Sequence, residues 1–435
     1  MKRVLLVAAT TGYQVREFSG AAEALGIELV LATDRCHILT DPWGDEASAL
    51  RFEDPAEGIE ALAARGPFDG ILAVGDRPAY VAAQIAARFG LRFHSAAAAQ
   101  IAGDKLRTRE CFRAAGMRVP GFQVIEHGAP LPAAVRYPCV IKPIDSSGSR
   151  GVIRADNVAG LLAARERIGH MWRNPTLLVE DFIPGREFAL DGLVTAGKLR
   201  VLALFDKPDA LDGPFFEETI YVTPSREPEL VQHAIGEAAQ AAVTALGLSD
   251  GPVHAEMRVN DAGVWMLEVA ARPIGGLCAR VLRFETAPSG HGSESGDERR
   301  SRITSAPIAN APTPSRDHRE RFLPLEEILL RHTVAEDVSQ FSLAPGAHAV
   351  MMIPIPAAGA YRGVQGLESA SRVPGIEAIE ITAKEGQILV PLPEGASYMG
   401  FIFARAASPA EAEHALREAH ARLVFDVSQA LPIVR

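Results

Sequence analysis

The chain has 435 residues, a formal net charge of −10, 48% hydrophobic residues and 23% charged residues. Its length excludes a single small module and predicts two or three domains with an ample core, and its negative charge argues against a nucleic-acid surface. No segment reaches the roughly 20 apolar residues that span a bilayer, so we expect a cytoplasmic protein without a membrane partner. The four cysteines show neither a CxxC nor a Cys/His ligand spacing. We therefore expect buried thiols in a reducing compartment rather than structural zinc at Cys36, Cys111, Cys139 and Cys278.

The first 95 residues alternate strand-like and helical segments. Strands are predicted at VLLVAA, IELVLAT and GILAVG, and helices at Phe18–Leu25, near Pro55–Ala64, and at Pro78–Phe89. This alternation predicts an open parallel α/β domain over residues 1–95. A dinucleotide-binding fold is disfavoured, because the first turn reads ATTGYQ without GxGxxG and Asp34 is a lone acid after the second strand. A helix predicted from Ala98 to Ala115 follows.

The run YPCVIKPIDSSGSRGVIRADN predicts a strand, a loop rich in serine and glycine, and a return strand. Lys142 stands near the end of the first strand. The loop contains Ser146, Ser147, Gly148, Ser149 and Gly151. Such a loop offers backbone N–H groups to phosphate oxygens, and a lysine at its base adds a compact positive charge. The GxxxxGK[ST] spacing of a Walker A loop is absent from the chain. By itself the segment is also compatible with a plain hairpin loop.

A buried strand in TLLVEDFIPGREF ends in acidic residues. Glu180 and Asp181 stand at its end, Phe182 and Ile183 follow, and Glu187 comes a few residues later. An acid beside exposed backbone can hydrogen-bond an adenine edge, and the second acid suits ribose hydroxyls. Either acid alone is equally compatible with a surface turn.

The run VHAEMRVNDAGVWMLEVAARPIGG predicts two paired strands joined by a tight turn. Asp261 to Gly263 suit a three-residue loop, a type I turn closed by a glycine in the left-handed region. That loop pairs Asn260 with Val264. Counting outward in the same register places Glu256 opposite Glu268, with Cβ atoms about 5 Å apart.

Two facing carboxylates destabilise a sheet unless a cation lies between them. Hard oxygen ligands of this kind, together with nucleotide phosphates, are what Mg²⁺ prefers. The alternative is that Glu256 or Glu268 points to solvent.

Two other motifs lack the context that their chemistry needs. GLSDG matches a GxSxG nucleophile elbow, but it follows a helix and precedes a strand, so Ser249 is predicted to be a loop residue. His254 and Glu256 form an HxE pair without the later PCxxC of zinc deaminases. We therefore expect a structural role for His254.

The C-terminal third begins with a segment of different composition. Residues 286–320 are rich in Ser, Pro, Gly and charge, which predicts a disordered insertion. A tolerated surface insertion is the favoured interpretation, and a regulatory or partner-binding role is the alternative. From about Ala344, short strands and a long helix at Pro409–Leu423 predict an α+β domain.

The motifs together, in their order along the chain, resemble those of the ATP-grasp superfamily. They are DKLRTRECFRAAGMRVP, VIKPIDSSGSRGV, VEDFIPGREF, HAE and LEVAARPIGG. The resemblance implies an α/β and α+β fold: an N-terminal parallel domain, an ATP-grasp domain over 96–285 with a lid at about 120–185, and a C-terminal α+β part over 321–435.

This resemblance also implies roles for individual residues. Lys105 and Lys142 would contact ATP phosphates under a flexible loop formed by Ser146 to Gly151. Adenine would be held at Glu180, Asp181, Phe182 and Ile183. Glu187 would bind ribose, and Glu256 and Glu268 would hold Mg²⁺, for which Mn²⁺ is a substitute.

Within the superfamily, the chain is most similar to L-amino-acid ligases. It has Ala270 where D-alanine ligases usually place asparagine, and Arg272 two residues further on. This arrangement implies a ligase that joins small-molecule carboxylate and amine substrates through an acyl phosphate, and homodimers are common in the family. Arg272, with Lys142, would act in catalysis by neutralising the acyl phosphate; an ordinary salt bridge is its alternative role.

The segment PFFEETIY resembles the part of these ligases that holds the amino acid. Glu218 would pair with an ammonium group there. Further substrate contacts would come from Tyr221, Gly275 and Gly276. Two other functions stay open: another ATP-grasp enzyme, of carboxylase type or acting on a non-amino-acid carboxylate, and a non-catalytic ATP-binding sensor.

Overall fold

The computed structural model describes residues 1–10, 14–34, 47–286, 322–395 and 397–428. Its N-terminal elements are β1 (Arg3–Ala8), α1 (Val15–Leu25), β2 (Glu28–Thr33), β3 (Ser48–Ala49), α2 (Ala56–Leu62), β4 (Gly70–Val74) and α3 (Asp76–Phe89). The strands form a parallel sheet in the order β3-β2-β1-β4. Alternate residues of β1 pack on opposite faces, Leu6 with the α1 side and Leu5 with the α2 and α3 side. The predicted open parallel α/β sheet is therefore confirmed.

The helix predicted from Ala98 to Ala115 is instead two helices, α4 (Ala96–Ala102) and α5 (Lys105–Ala114). Asp104 caps α5, because its side chain accepts a hydrogen bond from a backbone N–H of the first turn. Aspartate favours such a cap over a helix interior. The break brings Lys105 to the first position of α5.

An antiparallel unit follows. Its elements are β5 (Phe122–Ile125), β6 (Cys139–Pro143), β7 (Ile153–Ala155), α6 (Val158–Met171) and β8 (Leu177–Asp181). The strand order is β5-β8-β6-β7. Leu161 and Ile168 of α6 are buried against these strands. Because β6 pairs with β8 in the register Val140 to Glu180, Lys142 and Glu180 lie on neighbouring strands.

The remaining elements build the rest of the molecule. They are β9 (Arg186–Thr195), β10 (Lys198–Lys207), β11 (Ile220–Thr223), α7 (Glu229–Leu246), β12 (Gly251–Asn260), β13 (Gly263–Ala270), β14 (Arg283–Thr286), β15 (Leu323–Pro324), α8 (Leu325–Thr333), β16 (Phe341–Leu343), β17 (Ala347–Ile353), β18 (Gly359–Gln365), α9 (Leu367–Ser371), β19 (Ile376–Ile381), β20 (Ile388–Leu389), β21 (Gly400–Ala406), α10 (Pro409–Ala421) and β22 (Val424–Ser428).

Eight of these strands form one antiparallel sheet, in the order β13-β12-β9-β10-β11-β17-β21-β19. The pairing of β11 with β17 joins strands from before and after residues 287–321. Smaller sheets are β15-β14-β16 and β20-β18-β22. Helix α10 packs on β17 and β21, where Leu416 is fully buried. This part has the predicted α+β character.

The hairpin of β12 and β13 has the expected facing glutamates but not the expected loop. Asn260 pairs with Gly263 rather than with Val264, so the loop is one residue shorter than predicted. A bulge in β13 then shifts the register back by one residue, and Glu256 faces Glu268. The two differences cancel, which is why counting from the wrong loop reached the right pair.

Several sequence predictions concern residues away from this hairpin. The predicted insertion at 286–320 lies outside the described residues except for Thr286, which ends β14. Cys36 is also outside them. Cys139 and Cys278 are buried as expected, whereas Cys111 is partly exposed because it lies at the edge of the core on α5. None of the helices in the described ranges is long and apolar enough to cross a membrane.

Candidate active site

A cavity of about 340 Å³ lies where the antiparallel unit, the long sheet and the C-terminal elements meet. Its lining contains the following residues that the sequence singled out: Lys105, Lys142, Ser146, Ser147, Gly148, Ser149, Glu180, Asp181, Phe182, Ile183, Glu187, Glu218, Tyr221, His254, Glu256, Glu268, Arg272, Gly275 and Gly276. Gly151 is not part of the lining. The structure therefore brings residues from distant parts of the sequence into one cleft of the size that small ligands occupy.

The two lysines reach the cavity from different elements. Lys105, on the first turn of α5, donates to the Ser146 carbonyl and lies 3.3 Å from Glu268 Oε2. Lys142, on β6, is buried and forms an ion pair with Glu180. Burial lowers the pKa of Lys142 and outweighs the opposing effect of Glu180. A nearby polyanion would favour the charged form of this lysine.

Glu180 is held between two cations. Arg109 Nε donates to Glu180 Oε1 at 2.5 Å, and Lys142 pairs with Oε2. Burial opposes the charge, but Arg109 and Lys142 outweigh it and lower the pKa of Glu180 to about 2. The carboxylate of Glu180 thus contacts two protein cations at the cavity, and its predicted role at the adenine edge stays a prediction. Arg109 also donates to the carbonyl of Leu267, the bulge residue of β13, at 2.8 Å.

The serine- and glycine-rich loop between β6 and β7 adopts left-handed backbone at several positions. Gly148 has φ 60°, Ser149 φ 56° and Gly151 φ 70°. A Cβ at Gly151 would lie 2.7 Å from the Trp172 ring, so glycine is needed there for close packing. The Gly151 N–H donates to the Pro393 carbonyl at 3.0 Å. Gly151 thus shapes the loop from outside the cavity.

The hinge after β8 is packed around Phe182. Its ring stacks on Phe216 at 6.4 Å, and the guanidinium of Arg258 lies 5.0 Å from its centre. Arg258 also donates to the Ile183 carbonyl at 2.8 Å. The Asp181 side chain accepts a hydrogen bond from the Gly121 N–H at 3.0 Å. The hinge offers an aromatic surface and backbone groups to a planar ligand.

A buried lysine that the sequence predictions missed stands among the acids. Lys207 Nζ lies 3.0 Å from Glu187 Oε1 and 3.3 Å from Glu256 Oε1, and it donates to Glu218. Burial would lower the pKa of Lys207, but these acids outweigh it and raise the pKa well above its usual value. The ammonium group that pairs with Glu218 in this structure therefore belongs to Lys207. Glu187 accepts a second ion pair, from Arg258 Nε at 2.8 Å.

The facing glutamates have different surroundings. Glu256 lies 3.5 Å from His254 Nε2, and His254 Nδ1 lies 3.4 Å from Asp191 Oδ1. Burial would raise the pKa of Glu256, but Lys207 and His254 lower it to about 2. Burial would lower the pKa of His254, but Asp191 and Glu256 raise it to about 9. The Glu256 carboxylate thus faces Glu268 with His254 and Lys207 beside it.

Arg272 both lines the cavity and forms an ion pair. Its Nε lies 2.8 Å from Asp76 Oδ1, and Nη2 lies 3.3 Å from Oδ2. Burial opposes the charge, but Asp76, Glu268 and Glu256 outweigh it and raise the pKa of Arg272. The ordinary salt bridge that was the alternative role for Arg272 is therefore present. It holds the guanidinium at the cavity wall beside Gly275.

The sequence predictions missed Arg109, Lys207 and Asp76. Two of them carry a usable signal. Lys207 ends the apolar run VLALFDK as Lys142 ends CVIK, and Asp76 follows the strand GILAV at the carboxyl edge of a parallel sheet, where sites often form. Arg109 lies mid-helix among other arginines, and nothing local distinguishes it.

The chain matches two family models. Residues 135–281 match an ATP-grasp domain, and residues 351–428 match the L-amino acid ligase C-terminal domain 2. The fold is similar to an L-amino acid ligase from Bacillus licheniformis, with a TM-score of 0.76, 22% identity, and 99% of each chain covered.

Curated relatives are similar over shorter spans. The ATP-grasp enzyme fsqD of Aspergillus fumigatus is 24% identical over 360 residues, which cover 68% of this chain and 60% of that protein. A D-alanine–D-alanine ligase of Verminephrobacter eiseniae is 27% identical over 238 residues, covering 46% of this chain and 70% of that protein. The chain thus spans less than two thirds of the fungal relative's length. The chain therefore has an ATP-grasp domain over residues 135–281 and a C-terminal domain of the L-amino-acid ligase type over residues 351–428.

Proposed function

We propose that this protein is an ATP- and Mg²⁺-dependent carboxylate–amine ligase that acts on an L-amino acid and forms an amide or peptide bond. The observation that carries the proposal is one cavity containing Lys105, Lys142, the facing pair Glu256 and Glu268, and Arg272. Together they supply charge for phosphates, hard ligands for a metal and a guanidinium for a transferred phosphoryl group.

ATP would lie between the hinge and the lysines. The backbone from Asp181 to Ile183 would hold adenine against the packed ring of Phe182. Glu187, kept in place by Lys207 and Arg258, would accept ribose hydroxyls with its remaining lone pairs. Lys105 and Lys142 would neutralise phosphate oxygens. The loop from Ser146 to Gly151 would add backbone donors.

Glu256 and Glu268 fit a divalent cation. Their strands place them directly opposite one another, a pairing of like charges that a cation stabilises. Carboxylate oxygens are the ligands that Mg²⁺ takes together with phosphates, and Mn²⁺ would fit the same oxygens. A bound metal would neutralise phosphate charge. Lys105 and Lys207, at 3.3 Å from Glu268 and Glu256, compensate part of the same negative charge.

The chemistry needs positioning more than a protein nucleophile. A carboxylate is a poor electrophile, so its oxygen would attack the γ-phosphorus of ATP, giving an acyl phosphate and ADP. An amine would then attack the acyl carbon and release inorganic phosphate. Arg272, aligned by Asp76, would stabilise the transferring phosphoryl group and then the acyl phosphate.

The amino acid would lie near Glu218, Tyr221, Gly275 and Gly276. Because Glu218 pairs with Lys207, a substrate ammonium would share its carboxylate with that lysine. Glu218→Gln should therefore raise the Michaelis constant of the amino acid. An unchanged Michaelis constant for every amino acid would remove Glu218 from the proposal.

Two rival functions are separated by the same assay. A carboxylase-type enzyme or a ligase of other acids would release phosphate with bicarbonate or a non-amino-acid carboxylate. An ATP-binding sensor would release none. Arg272 beside both glutamates favours an enzyme, because a binder has no acyl phosphate to neutralise.

We would measure phosphate release from ATP and Mg²⁺ across a matrix of amino acids, amines and simple carboxylates. Release that depends on an amine, and is lost in Glu268→Ala and Arg272→Ala, is the expected result. Glu237→Ala, at an exposed position on α7, is the matched control and should retain activity. Tight ATP binding without phosphate release for any pair would favour the sensor.

We propose domains at 1–95, 96–285 and 321–435, with the lid at about 120–185, and a homodimer in solution. Limited proteolysis and analytical ultracentrifugation test the two statements separately.

A further inference from the structure

Part of the cavity wall is apolar. It consists of Cys278, Met352, Tyr398 and Phe401, which we call the apolar wall. Met352 on β17 faces Phe401 on β21 across the antiparallel pair, and the rings of Tyr398 and Phe401 lie 6.3 Å apart. Burial raises the pKa of the Cys278 thiol, which therefore stays uncharged. None of these side chains is a charged acid or base at neutral pH, so the wall suits an apolar group.

The apolar wall adjoins the acidic end of the cavity. The Met352 N–H donates to the carbonyl of Thr219, the neighbour of Glu218, at 2.7 Å. Burial raises the pKa of the Tyr398 hydroxyl most, and the negative charge of Glu218 raises it further. A single ligand of amino-acid size can therefore contact Glu218 and the wall together.

The wall also adjoins Arg272 through the segment that follows it. A Cβ built at Gly276 would lie 3.3 Å from the Phe401 ring, and one at Gly275 would lie 4.0 Å from Arg272 Nη1. The guanidinium, the glycines and the apolar wall thus follow one another around the cavity. An amino acid with its carboxylate toward Arg272 and its ammonium toward Glu218 would direct its side chain to the apolar wall.

We propose that the amino acid activated by this protein has a large apolar side chain, of the size of leucine, methionine or phenylalanine, which packs on the apolar wall. This inference rests on the proposed ligase function and specifies its substrate. An acidic side chain is excluded because Glu218 and Glu256 would repel it. A small side chain would leave the wall without contact.

Trapping with hydroxylamine tests the carboxylate donor without knowledge of the natural amine. ATP converts the amino-acid carboxylate to an acyl phosphate and ADP; hydroxylamine nitrogen then attacks the acyl carbon, expels phosphate and leaves a hydroxamate. The panel is alanine, serine, aspartate, lysine, leucine, methionine and phenylalanine. We expect kcat/KM for the best large apolar amino acid to exceed that for alanine by at least about tenfold.

Two adjacent methionines give a matched pair of variants. Met352 and Met351 are both 4% exposed on β17, but Met352 lines the cavity and Met351 packs in the C-terminal core on the opposite face. Met352→Ala should lower the ratio of kcat/KM for leucine over alanine by about tenfold. Met351→Ala should leave that ratio unchanged despite a comparable loss of stability. If Met352→Ala does not fold, Met352→Leu conserves volume and should change the leucine to phenylalanine ratio.

The outcomes separate this inference from the function on which it rests. Hydroxamate formed best from alanine, aspartate or lysine, or equal changes of the ratio in both methionine variants, would overturn the apolar wall as the side-chain site while leaving the ligase intact. No hydroxamate from any amino acid, with no phosphate release for any amine pair, would overturn the ligase proposal and this one with it.

Discussion

Glu180 compensates two buried cations, Arg109 and Lys142. Glu180→Gln would leave both charges buried without a carboxylate, so we expect the free energy of unfolding to fall by about 3–5 kcal/mol. Urea unfolding at pH 7 measures this. Glu110→Gln, exposed on the same helix as Arg109, is the control and should change stability by less than about 0.5 kcal/mol.

Because of the same ion pairs, the free energy of unfolding should decrease as the pH falls below the ordinary pKa of a glutamate. The pKa of Glu180 lies at about 2 in the folded protein, below its ordinary value of 4.5. Its ionised form therefore stabilises the fold fully above pH 4.5, and the stabilisation is lost as pH falls toward 2. The difference between wild type and Glu180→Gln should be constant near neutral pH and shrink below pH 4.5. A difference that widens on acidification would contradict this assignment.

Asp76, the first residue of α3, positions Arg272. Asp76→Asn removes the charge that aligns the guanidinium while keeping the side-chain size. Within the proposed function, we expect kcat to fall by about 10–100-fold, because misplaced charge stabilises the transition state poorly. The KM for ATP should stay nearly constant, since Asp76 is not among the residues that line the cavity. Asp54→Asn, an exposed aspartate of the same N-terminal part, should behave as wild type.

Prediction from sequence succeeded for residues whose partners are near in the chain. Glu256 and Glu268 lie on one hairpin, so counting along its strands predicted their pairing, with the wrong loop length cancelled by the bulge in β13. Asp76 and Arg272 are 196 residues apart, and their contact depends on how the first sheet packs against the long one. The same holds for Arg109, whose Glu180 partner comes from a different unit. Local patterns contain no information on such packing.

At the scale of elements, the loop between β6 and β7 is held to the C-terminal part. Arg150 Nε donates to the Glu394 carbonyl at 2.9 Å, and Arg167 Nη2 donates to Glu394 Oε2 at 2.9 Å. With the bond from Gly151 to Pro393, the Arg150 contact holds the loop to residues 393–394, and the Arg167 pair holds α6 to the same segment.

Glu394→Ala should loosen this loop without unfolding the protein. An exposed ion pair contributes at most about 1 kcal/mol, so global stability should change little. Hydrogen exchange of residues 145–152 should become faster, because local opening loses one of its restraints. Glu385→Ala, exposed in the preceding turn, should leave that exchange unchanged. Equal rates in the two variants would show that the Arg167 pair does not restrain the loop.

The helix break at Asp104 and the bulge in β13 show where element prediction was wrong. Both insert an irregularity of one or two residues into an otherwise correct periodicity. Each also positions a site residue: the cap sets Lys105 at the start of α5, and the bulge restores the register of Glu268. A prediction from periodicity treats each element as regular and so misses such local irregularities, which functional sites tend to contain.

At the scale of the whole molecule, residues 287–320 can be tested by removal. Thr286 ends β14, and β14 pairs with β15 through Phe284 and Leu323, so the flanking chain ends lie side by side. A short glycine–serine linker should span them. Closing a shorter loop costs less entropy, so we expect equal stability or a gain of about 1–2 kcal/mol. Phosphate release should be unchanged; a large loss in a folded deletion variant would point to a regulatory role.

The pairing of β11 with β17 has a consequence for how the chain can be divided. In the long sheet, the strands that precede residues 287–321 meet the strands that follow them at this pairing, and the apolar wall contains Cys278 from one side and Met352 from the other. Two separately translated fragments, 1–286 and 322–435, would each lack part of the sheet and part of the cavity. Restored turnover on co-expression would make this enzyme a reporter of fragment association, because neither piece contains a complete site.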